Sequence, residues 1–286
     1  MALPTKEQVN NFDDVFIETS TKQETQFTII YGKADTAKTT IACYSPDPVI
    51  IPVGRELCHQ RMLCPKMENR NNIDPITHLF TCINYLLKKE HSRKTVIIDN
   101  LTSYREILEE DVVKTYKSND KTATSLGDFE FGKGQMHAYQ YYKRLLAGID
   151  ALIKQRQLHV ILIAHDGYYT INKPDGSYYQ KMSLNAQGGD NTNARTLFES
   201  RAHDVLLMTC DDVVVERTSS MGVKRKIASG MPTQRVIHTK QTSAFFAKTK
   251  SAIEKSIIVE ESENEYELLH ELSNPTYKQL FIDLYS

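Results

Sequence analysis

The stretch FTIIYGKADTAKTTIA, residues 27–42, decides the fold of this chain. It begins with the apolar, β-prone run 27–31, which predicts a buried strand, and Gly32 then breaks the run. Lys38 and Thr39 follow at the start of a segment that is typical of a helix. A strand, a loop and a helix with Gly and Lys-Thr at this spacing form a P-loop, whose amides and helix N-terminus bind phosphates.

The predicted nucleotide-binding loop has one unusual position. Its residues are Gly32, Lys33, Ala34, Asp35, Thr36, Ala37, Lys38, Thr39 and Thr40. In a P-loop the lysine, here Lys38, reaches the β- and γ-phosphates, and the hydroxyl of Thr39 binds Mg²⁺. Ala37 stands where the pattern has glycine, a position at which the backbone passes close to phosphate and needs freedom in φ. We expect Ala37 to affect the rate of hydrolysis more than ATP binding; the alternative is a strand–turn–helix with a chance Lys-Thr.

Composition limits the function classes. The 286 residues are 40% hydrophobic and 25% charged, enough for one large α/β domain or two small ones. The net charge of −1 means that any nucleic-acid surface must be local. The chain contains no apolar run of membrane-spanning length, and its start is polar, so we expect a cytoplasmic protein. Five cysteines without a framework spacing favour reduced thiols.

A second motif follows the P-loop. The segment KTVIIDNLTSY, residues 94–104, predicts a short hydrophobic strand that ends in Asp99. In this Walker B pattern the strand delivers a carboxylate beside the P-loop, where Asp99 and Thr39 would hold Mg²⁺. The alternative is that Asp99 caps the next helix, a role for which Asn100 and Thr102 also compete.

Several further elements follow from hydrophobic spacing. Residues 47–53 predict a buried strand, residues 77–89 a helix, and residues 137–157 a long amphipathic helix. Residues 127–134 contain three glycines and argue against regular structure. The run HVILIAH, residues 159–165, predicts a buried strand with His165 at its tip, and residues 203–209 and 211–218 predict two more strands.

The segment 166–195 is rich in tyrosine and cations. Pro174-Asp175-Gly176 predicts a hairpin turn between two tyrosine pairs. Rings interleaved with cations are typical of single-stranded DNA binding, in which bases stack on the rings and cations follow the phosphates. The predicted DNA-binding residues are Tyr168, Tyr169, Lys173, Tyr178, Tyr179 and Lys181, with Arg195 nearby. The alternative is a solvated hairpin whose tyrosines pack on the core.

Charge is segregated near the C-terminus. Residues 217–255 carry nine Lys or Arg against one acid, whereas residues 256–286 carry seven acids against one Lys. We therefore divide the chain into a core with its N-terminal lead-in, residues 1–258, and an acidic C-terminal tail, residues 259–286. The tail either competes with DNA for the basic segment or packs on the core as a helix, for which residues 266–272 have suitable spacing.

Together these blocks resemble the small phage-encoded RecA-like ATPases, AAA-type nucleotide-binding proteins that act in single-strand annealing and recombination. The resemblance covers residues 25–255, roughly. It is carried by GDFEFGKG at 127–134 before a long helix, by HVILIAH, by the tyrosine hairpin, and by the strand 235–239 followed by Ala247-Lys248. The departures are Ala37, Thr249-Lys250 where the family tends to have Asn-Arg, and the long acidic tail.

The resemblance implies a fold and an activity. The fold is an α/β RecA-like P-loop NTPase core, a mostly parallel β-sheet with helices on both faces and ATP at the carboxyl ends of the strands. The implied activity is Mg²⁺- and ATP-linked binding of single-stranded DNA with annealing of complementary strands. Implied partners are further copies of the chain, in a ring or filament with nucleotide between subunits, and a single-stranded DNA-binding protein. A phage-encoded member would act in the cytoplasm of the bacterial host.

The resemblance also assigns catalytic roles beside Lys38 and Asp99. Glu56 would orient the attacking water, unless it is a surface charge. His165 would sense the γ-phosphate; the alternative is a capping or core residue. Lys248 would reach the nucleotide of a neighbouring subunit; the alternative is that it belongs to a basic, DNA-facing arm. Two other functions stay open: an annealing protein that uses nucleotide only as a structural clamp, and a helicase or helicase loader. Phosphate release with and without single-stranded DNA separates an ATPase from a clamp.

Overall fold

The structure, a computed structural model, describes residues 25–54, 63–66, 73–116, 123–189, 191–210, 214–218, 224–228, 234–251, 253, 256–260 and 275–285. Its strands are β1 (Phe27–Gly32), β2 (Pro48–Pro52), β3 (Thr95–Asp99), β4 (His159–Asn172), β5 (Tyr178–Leu184), β6 (Asp204–Cys210), β7 (Val214–Thr218), β8 (Lys224–Ala228), β9 (Gln234–His238) and β10 (Ile257–Glu260). Its helices are α1 (Lys38–Ala42), α2 (Pro75–Lys88), α3 (Leu101–Thr115), α4 (Lys133–Arg156), α5 (Ala194–Arg201) and α6 (Pro275–Tyr285). A search of the helices among these residues finds none with the length and apolarity to cross a membrane.

The central sheet is mostly parallel. Its strands follow the order β10-β9-β6-β1-β4-β3-β2. Strand β5 pairs with the part of β4 that extends past the end of its neighbours. The neighbours from β6 to β2 are parallel, and β9 and β10 add an antiparallel edge. Strands β7 and β8 form a separate hairpin, so the predicted strand at 211–218 pairs with β8, and β9 takes the place beside β6. The predicted α/β fold class with a mostly parallel sheet is confirmed.

Both faces of the sheet are covered. Side chains of one strand alternate between the two faces: Ile29 and Tyr31 lie in the apolar cluster with α2 to α5, whereas Ile30 lies in the cluster with α1 and α6. The strands β1, β2 and β3 have almost continuous apolar sequences because both of their faces are buried. The predicted helices on both faces are confirmed.

Two helices begin before their predicted starts. Helix α2 begins two residues before the predicted start because the carboxylate of Asp74 accepts a hydrogen bond from the amide of Thr77, with Pro75 as first helical residue. Helix α4 begins at Lys133, and the predicted irregular segment before it forms two 3₁₀ turns, Leu126–Asp128 and Glu130–Gly132. Gly134 lies inside α4, where an added Cβ would stand 2.5 Å from the carbonyl oxygen of Leu126. This glycine therefore permits close packing rather than irregular backbone.

Strand β4 is twice as long as predicted. Its first half pairs with β1 and β3, and residues 166–172 continue beyond the sheet and pair only with β5. Burial changes at the same point, from continuous along the first half to partial and alternating along the second. The segment for which a hairpin turn was predicted is thus a two-stranded hairpin that leaves the sheet at the carboxyl ends of its parallel strands.

The C-terminal residues that the structure describes belong to the core. Strand β10 spans the predicted boundary between residues 258 and 259 and pairs with β9. Helix α6 buries an apolar face made of Tyr277, Leu280, Phe281 and Leu284 against the sheet. The ring of Tyr285 stacks on that of His159 with 3.6 Å between centroids. The tail helix predicted at 266–272 lies outside the described residues.

Candidate nucleotide-binding site

The loop between β1 and α1 has the backbone of a phosphate-binding turn. Gly32 ends β1 in such close contact with β6 that an added Cβ would lie 2.2 Å from the carbonyl oxygen of Met208. Asp35 and Ala37 both have positive φ, 61° and 62°. The hydroxyl of Thr36 donates to the carbonyl oxygen of Lys33 at 2.9 Å and closes the turn. The predicted loop residues 32–40 therefore form one compact turn at the carboxyl end of β1.

Ala37 adopts the conformation for which a P-loop uses glycine. With φ 62° and ψ 26°, it lies in the left-handed region as the residue directly before α1. This region costs a residue with a Cβ roughly 1–2 kcal/mol. Alanine thus keeps the backbone of the pattern at an energetic cost.

The side chain of Lys38 turns back into this loop. It is 6% exposed. Its Nζ donates to the carbonyl oxygen of Lys33, and the hydroxyl oxygen of Thr36 lies 3.4 Å away. A buried ammonium needs acceptors, and the loop supplies them. Lys38 is therefore placed to meet an anion bound by the turn.

Thr39 and Asp99 meet as the two motifs predict. The hydroxyl of Thr39 donates to Oδ2 of Asp99 at 2.7 Å, and Asp99 is buried at the carboxyl end of β3. Asn100, rather than Asp99, caps α3, because its Oδ1 accepts a hydrogen bond from the amide of Ser103 at 2.7 Å. A hydroxyl and a carboxylate are oxygen ligands of the kind that Mg²⁺ prefers. These two side chains fit the metal-binding role that the sequence predicts.

His165 lies beside the P-loop at the point where β4 leaves the sheet. In the parallel register His165 is the partner of Gly32, whose other neighbour is Met208 of β6. Because β4 runs between β1 and β3, His165 lies between the strand of the P-loop and the strand of Asp99. Its amide donates to the hydroxyl oxygen of Thr102 at 3.0 Å. Glu56 lies outside the described residues.

The tyrosine hairpin starts directly after His165. Strands β4 and β5 pair from Asp166 with Leu184 to Asn172 with Tyr178. The turn is closed by a hydrogen bond from the amide of Lys173 to the carbonyl oxygen of Ser177 at 2.8 Å, and Gly176 has φ 83°. The Pro-Asp-Gly turn is therefore present at the predicted place.

The four tyrosines divide between the two faces of this hairpin. Tyr168 and Tyr178 share one face and are 61% and 74% exposed. Tyr169 lies on the other face beneath Arg195, whose guanidinium carbon is 3.4 Å from the ring centroid. Tyr179 is half-buried, with Nζ of Lys173 at 5.5 Å from its ring centroid. The exposed rings available for stacking are thus Tyr168 and Tyr178.

A buried carboxylate lies under the second face, and the sequence analysis missed it. Glu199 of α5 accepts a hydrogen bond from the hydroxyl of Ser183, and Nε of Arg195 is 3.8 Å away. Burial raises the pKa of Glu199. The i, i+4 spacing of Arg195 and Glu199 is the signal that could have indicated this pair. Lys181, on the same face of the hairpin as Tyr169, also has a partner: its ammonium donates to Oε1 of Gln241 at 3.1 Å.

Lys248 is distant from the P-loop of its own chain. Its backbone forms an antiparallel bridge with Val205, through hydrogen bonds of 2.7 and 3.0 Å. Val205 precedes Met208, the neighbour of Gly32, by three residues, or about 10 Å along a strand. Burial, followed by the charge of Lys250, lowers the pKa of Lys248. Lys250 is exposed, and its amide donates to the buried carboxylate of Asp204 at 3.0 Å.

Comparison with known protein families agrees with this geometry. The family described as "AAA domain" matches residues 24–251. Among solved structures, the RadB recombinase is similar with a TM-score of 0.36 and 11% sequence identity, over 82% of this chain and 86% of that chain. A search of curated proteins finds no match. The family match, which spans most of the chain, shows that the chain belongs to the AAA domain family, as an AAA-type P-loop ATPase domain with an α/β fold.

Proposed function

We propose that this protein is a DNA-dependent ATPase that binds single-stranded DNA and promotes strand annealing in homologous recombination. One observation carries the proposal. The strand that borders the P-loop at His165 continues without a break into a hairpin with two exposed tyrosines. A nucleotide site and a surface suited to unpaired bases therefore share one element.

Within the nucleotide site each side chain has a distinct task. Lys38 would neutralise charge on the β- and γ-phosphates of ATP, and Thr39 and Asp99 would hold Mg²⁺. When bound, this ion supplies positive charge next to the phosphate oxygens. Glu56 is the candidate for orienting water, on sequence grounds alone. His165 is the candidate for sensing the γ-phosphate, because its register places it next to Gly32.

The hairpin would bind DNA mainly through one face. Bases would stack on Tyr168 and Tyr178, whose rings are exposed, while Lys173 at the turn would follow phosphates. Tyr169, Tyr179 and Lys181 would support this surface from the second face. Their contacts with Arg195, Lys173 and Gln241 support a positioning role.

Assembly would complete the catalytic site. The chain would form a ring or filament of identical subunits with ATP at the contacts between them. Lys248 would then approach the nucleotide of a neighbour, a role supported by its distance from the P-loop of its own chain. A cation that arrives in trans stabilises charge on the transferring phosphoryl group.

Binding of labelled oligonucleotides tests the DNA part of this proposal. Fluorescence anisotropy, with Mg²⁺ and a non-hydrolysable ATP analogue, should show tighter binding of single-stranded oligothymidine than of a duplex of equal length. Affinity should fall as salt rises, because protein cations replace condensed counterions. The protein should also speed the annealing of complementary strands. Equal affinity for both forms of DNA, or annealing at the protein-free rate, would contradict the proposal.

A further inference from the structure

Asn185, the residue directly after β5, joins three parts of the molecule. Its amide donates to the carbonyl oxygen of His165 at 2.8 Å, and its Oδ1 accepts a hydrogen bond from Nη1 of Arg105 at 2.7 Å. It also packs tightly on Gly167 of β4, where an added Cβ would lie 3.2 Å from the Cα of Asn185. Asn185 therefore fastens the base of the hairpin to the end of the buried sheet and to α3.

The first turn of α3 holds the same base at a second point. The hydroxyl oxygen of Thr102 accepts the hydrogen bond from the amide of His165 at 3.0 Å. Arg105 lies three residues further along, on the same side of the helix, and an ion pair with Glu109 at 2.7 Å orients its guanidinium. One helical turn thus contacts both strands of the hairpin at the point where they leave the core.

This turn of α3 starts at the nucleotide site. Only the capping residue Asn100 separates Asp99 from the start of α3. The carboxylate of Asp99 accepts a hydrogen bond from the hydroxyl of Thr39. Any ligand that changes the contact between Thr39 and Asp99 therefore acts on the start of α3. From there the contacts continue through Thr102 and Arg105 to the hairpin.

We propose that Arg105 and Asn185 are positioning residues that couple nucleotide binding to the hairpin, an inference that rests on the proposed function. Neither residue belongs to the predicted phosphate or metal site. Arg105 provides a charge-assisted, directional hydrogen bond from α3, and Asn185 converts a movement of α3 into a movement of the hairpin base. Nucleotide binding would thereby order the surface that carries Tyr168 and Tyr178.

Hydrogen exchange of the hairpin amides, residues 166–184, tests this coupling without DNA or hydrolysis. In the unaltered protein, Mg²⁺ with a non-hydrolysable ATP analogue should slow their exchange at least about threefold. Asn185→Ala and Arg105→Ala should bind the analogue but lose this slowing. Asn185→Asp keeps the acceptor for Arg105 and should keep the response. Arg156→Ala is the matched control. Arg156, at the C-terminal end of α4, also joins two parts of the chain, because it donates to Glu90 and to the carbonyl oxygen of Lys89, which follow α2.

The outcomes separate the coupling from the proposed function. An unaltered protein that binds the analogue without slower exchange at the hairpin overturns the coupling, as does a full response in Arg105→Ala and Asn185→Ala. If Asn185→Ala does not fold, Arg105→Ala decides alone, since its side chain is half-exposed and its loss leaves the backbone contacts of Asn185 in place. An unaltered protein that responds at the hairpin but shows no DNA-stimulated hydrolysis would contradict the proposed function and leave the coupling intact.

Discussion

Ala37 is the residue at which this P-loop differs from its pattern, and its backbone is left-handed as the pattern requires. A methyl group at this position strains the backbone, at a point where the P-loop pattern predicts a close approach to phosphate. Glycine removes the methyl group and adopts positive φ without steric strain. Substitution of this residue therefore tests how strongly the backbone freedom of the loop limits ATP turnover.

We predict that Ala37→Gly raises ATP turnover or leaves it unchanged. Relief of the left-handed strain, roughly 1–2 kcal/mol, is partly offset by the greater freedom of glycine in the unfolded chain, about 0.4–1 kcal/mol. Thermal unfolding should thus show equal or slightly higher stability. The matched control is Ala42→Gly, which places glycine in the right-handed, buried end of α1 and should destabilise the protein. A large loss of turnover in Ala37→Gly would show that alanine is needed here.

At the scale of an element, the hairpin has two faces with different tasks. We predict that Tyr168→Ala and Tyr178→Ala each weaken binding of single-stranded oligothymidine by roughly 1–3 kcal/mol, because each loses a ring on which a base stacks. Tyr168→Phe keeps the ring and is the control that should bind as the unaltered protein does. Titrations by fluorescence anisotropy measure the difference. Unchanged affinity in both alanine variants would mean that bases do not stack on this face of the hairpin.

Helix α6 covers the face of the sheet that also carries α1. Leu280 is 1% exposed, whereas Ile282, on the outer side, is 58% exposed. We predict that Leu280→Ala lowers the free energy of unfolding by about 2–5 kcal/mol, since it leaves a cavity in a packed cluster. Ile282→Ala should change it by less than about 0.5 kcal/mol. Denaturant unfolding compares the two, and similar values for both would mean that α6 does not pack as described.

The elements also show what the sequence could predict and why the rest escaped it. Strands β1 and β3 were predictable because buried parallel strands need continuous apolar runs, and the turn was predictable from Pro174-Asp175-Gly176. The extension of β4 beyond His165 was not, because polar and glycine residues there resemble a loop. The hydrogen bonds of Asn185 with Arg105 and of Glu199 with Ser183 join residues 80 and 16 positions apart, so no local pattern indicates them.

At the scale of the whole molecule, the proposed assembly gives Lys248 a role between subunits. We predict that Lys248→Ala mixed with Lys38→Ala regains part of the ATPase activity that each variant lacks alone. In the mixed assembly a subunit with an intact P-loop lies beside one with an intact Lys248. Phosphate release from mixtures, in assemblies shown to contain both proteins, measures the recovery.

The control mixture combines Lys248→Ala with a variant that carries both substitutions. It contains intact P-loops but no Lys248, so it should stay inactive. If the first mixture recovers no more activity than this control, Lys248 is a DNA-binding or structural residue. Its half-buried ammonium, 3.5 Å from the carbonyl oxygen of Ser200, would then stabilise the end of α5.

The rate of phosphate release from ATP, with and without single-stranded oligothymidine, decides whether this protein is a DNA-dependent ATPase. The proposed function predicts slow release that rises when DNA is added. It also predicts at least a tenfold lower rate or ATP affinity in Lys38→Ala, about 1.4 kcal/mol, because a buried cation at the phosphates is lost. Lys154→Ala removes an exposed lysine of α4, outside the loop, and should behave as the unaltered protein. ATP binding without DNA-stimulated release would favour a nucleotide clamp, and unchanged binding and release in Lys38→Ala would contradict the P-loop assignment itself.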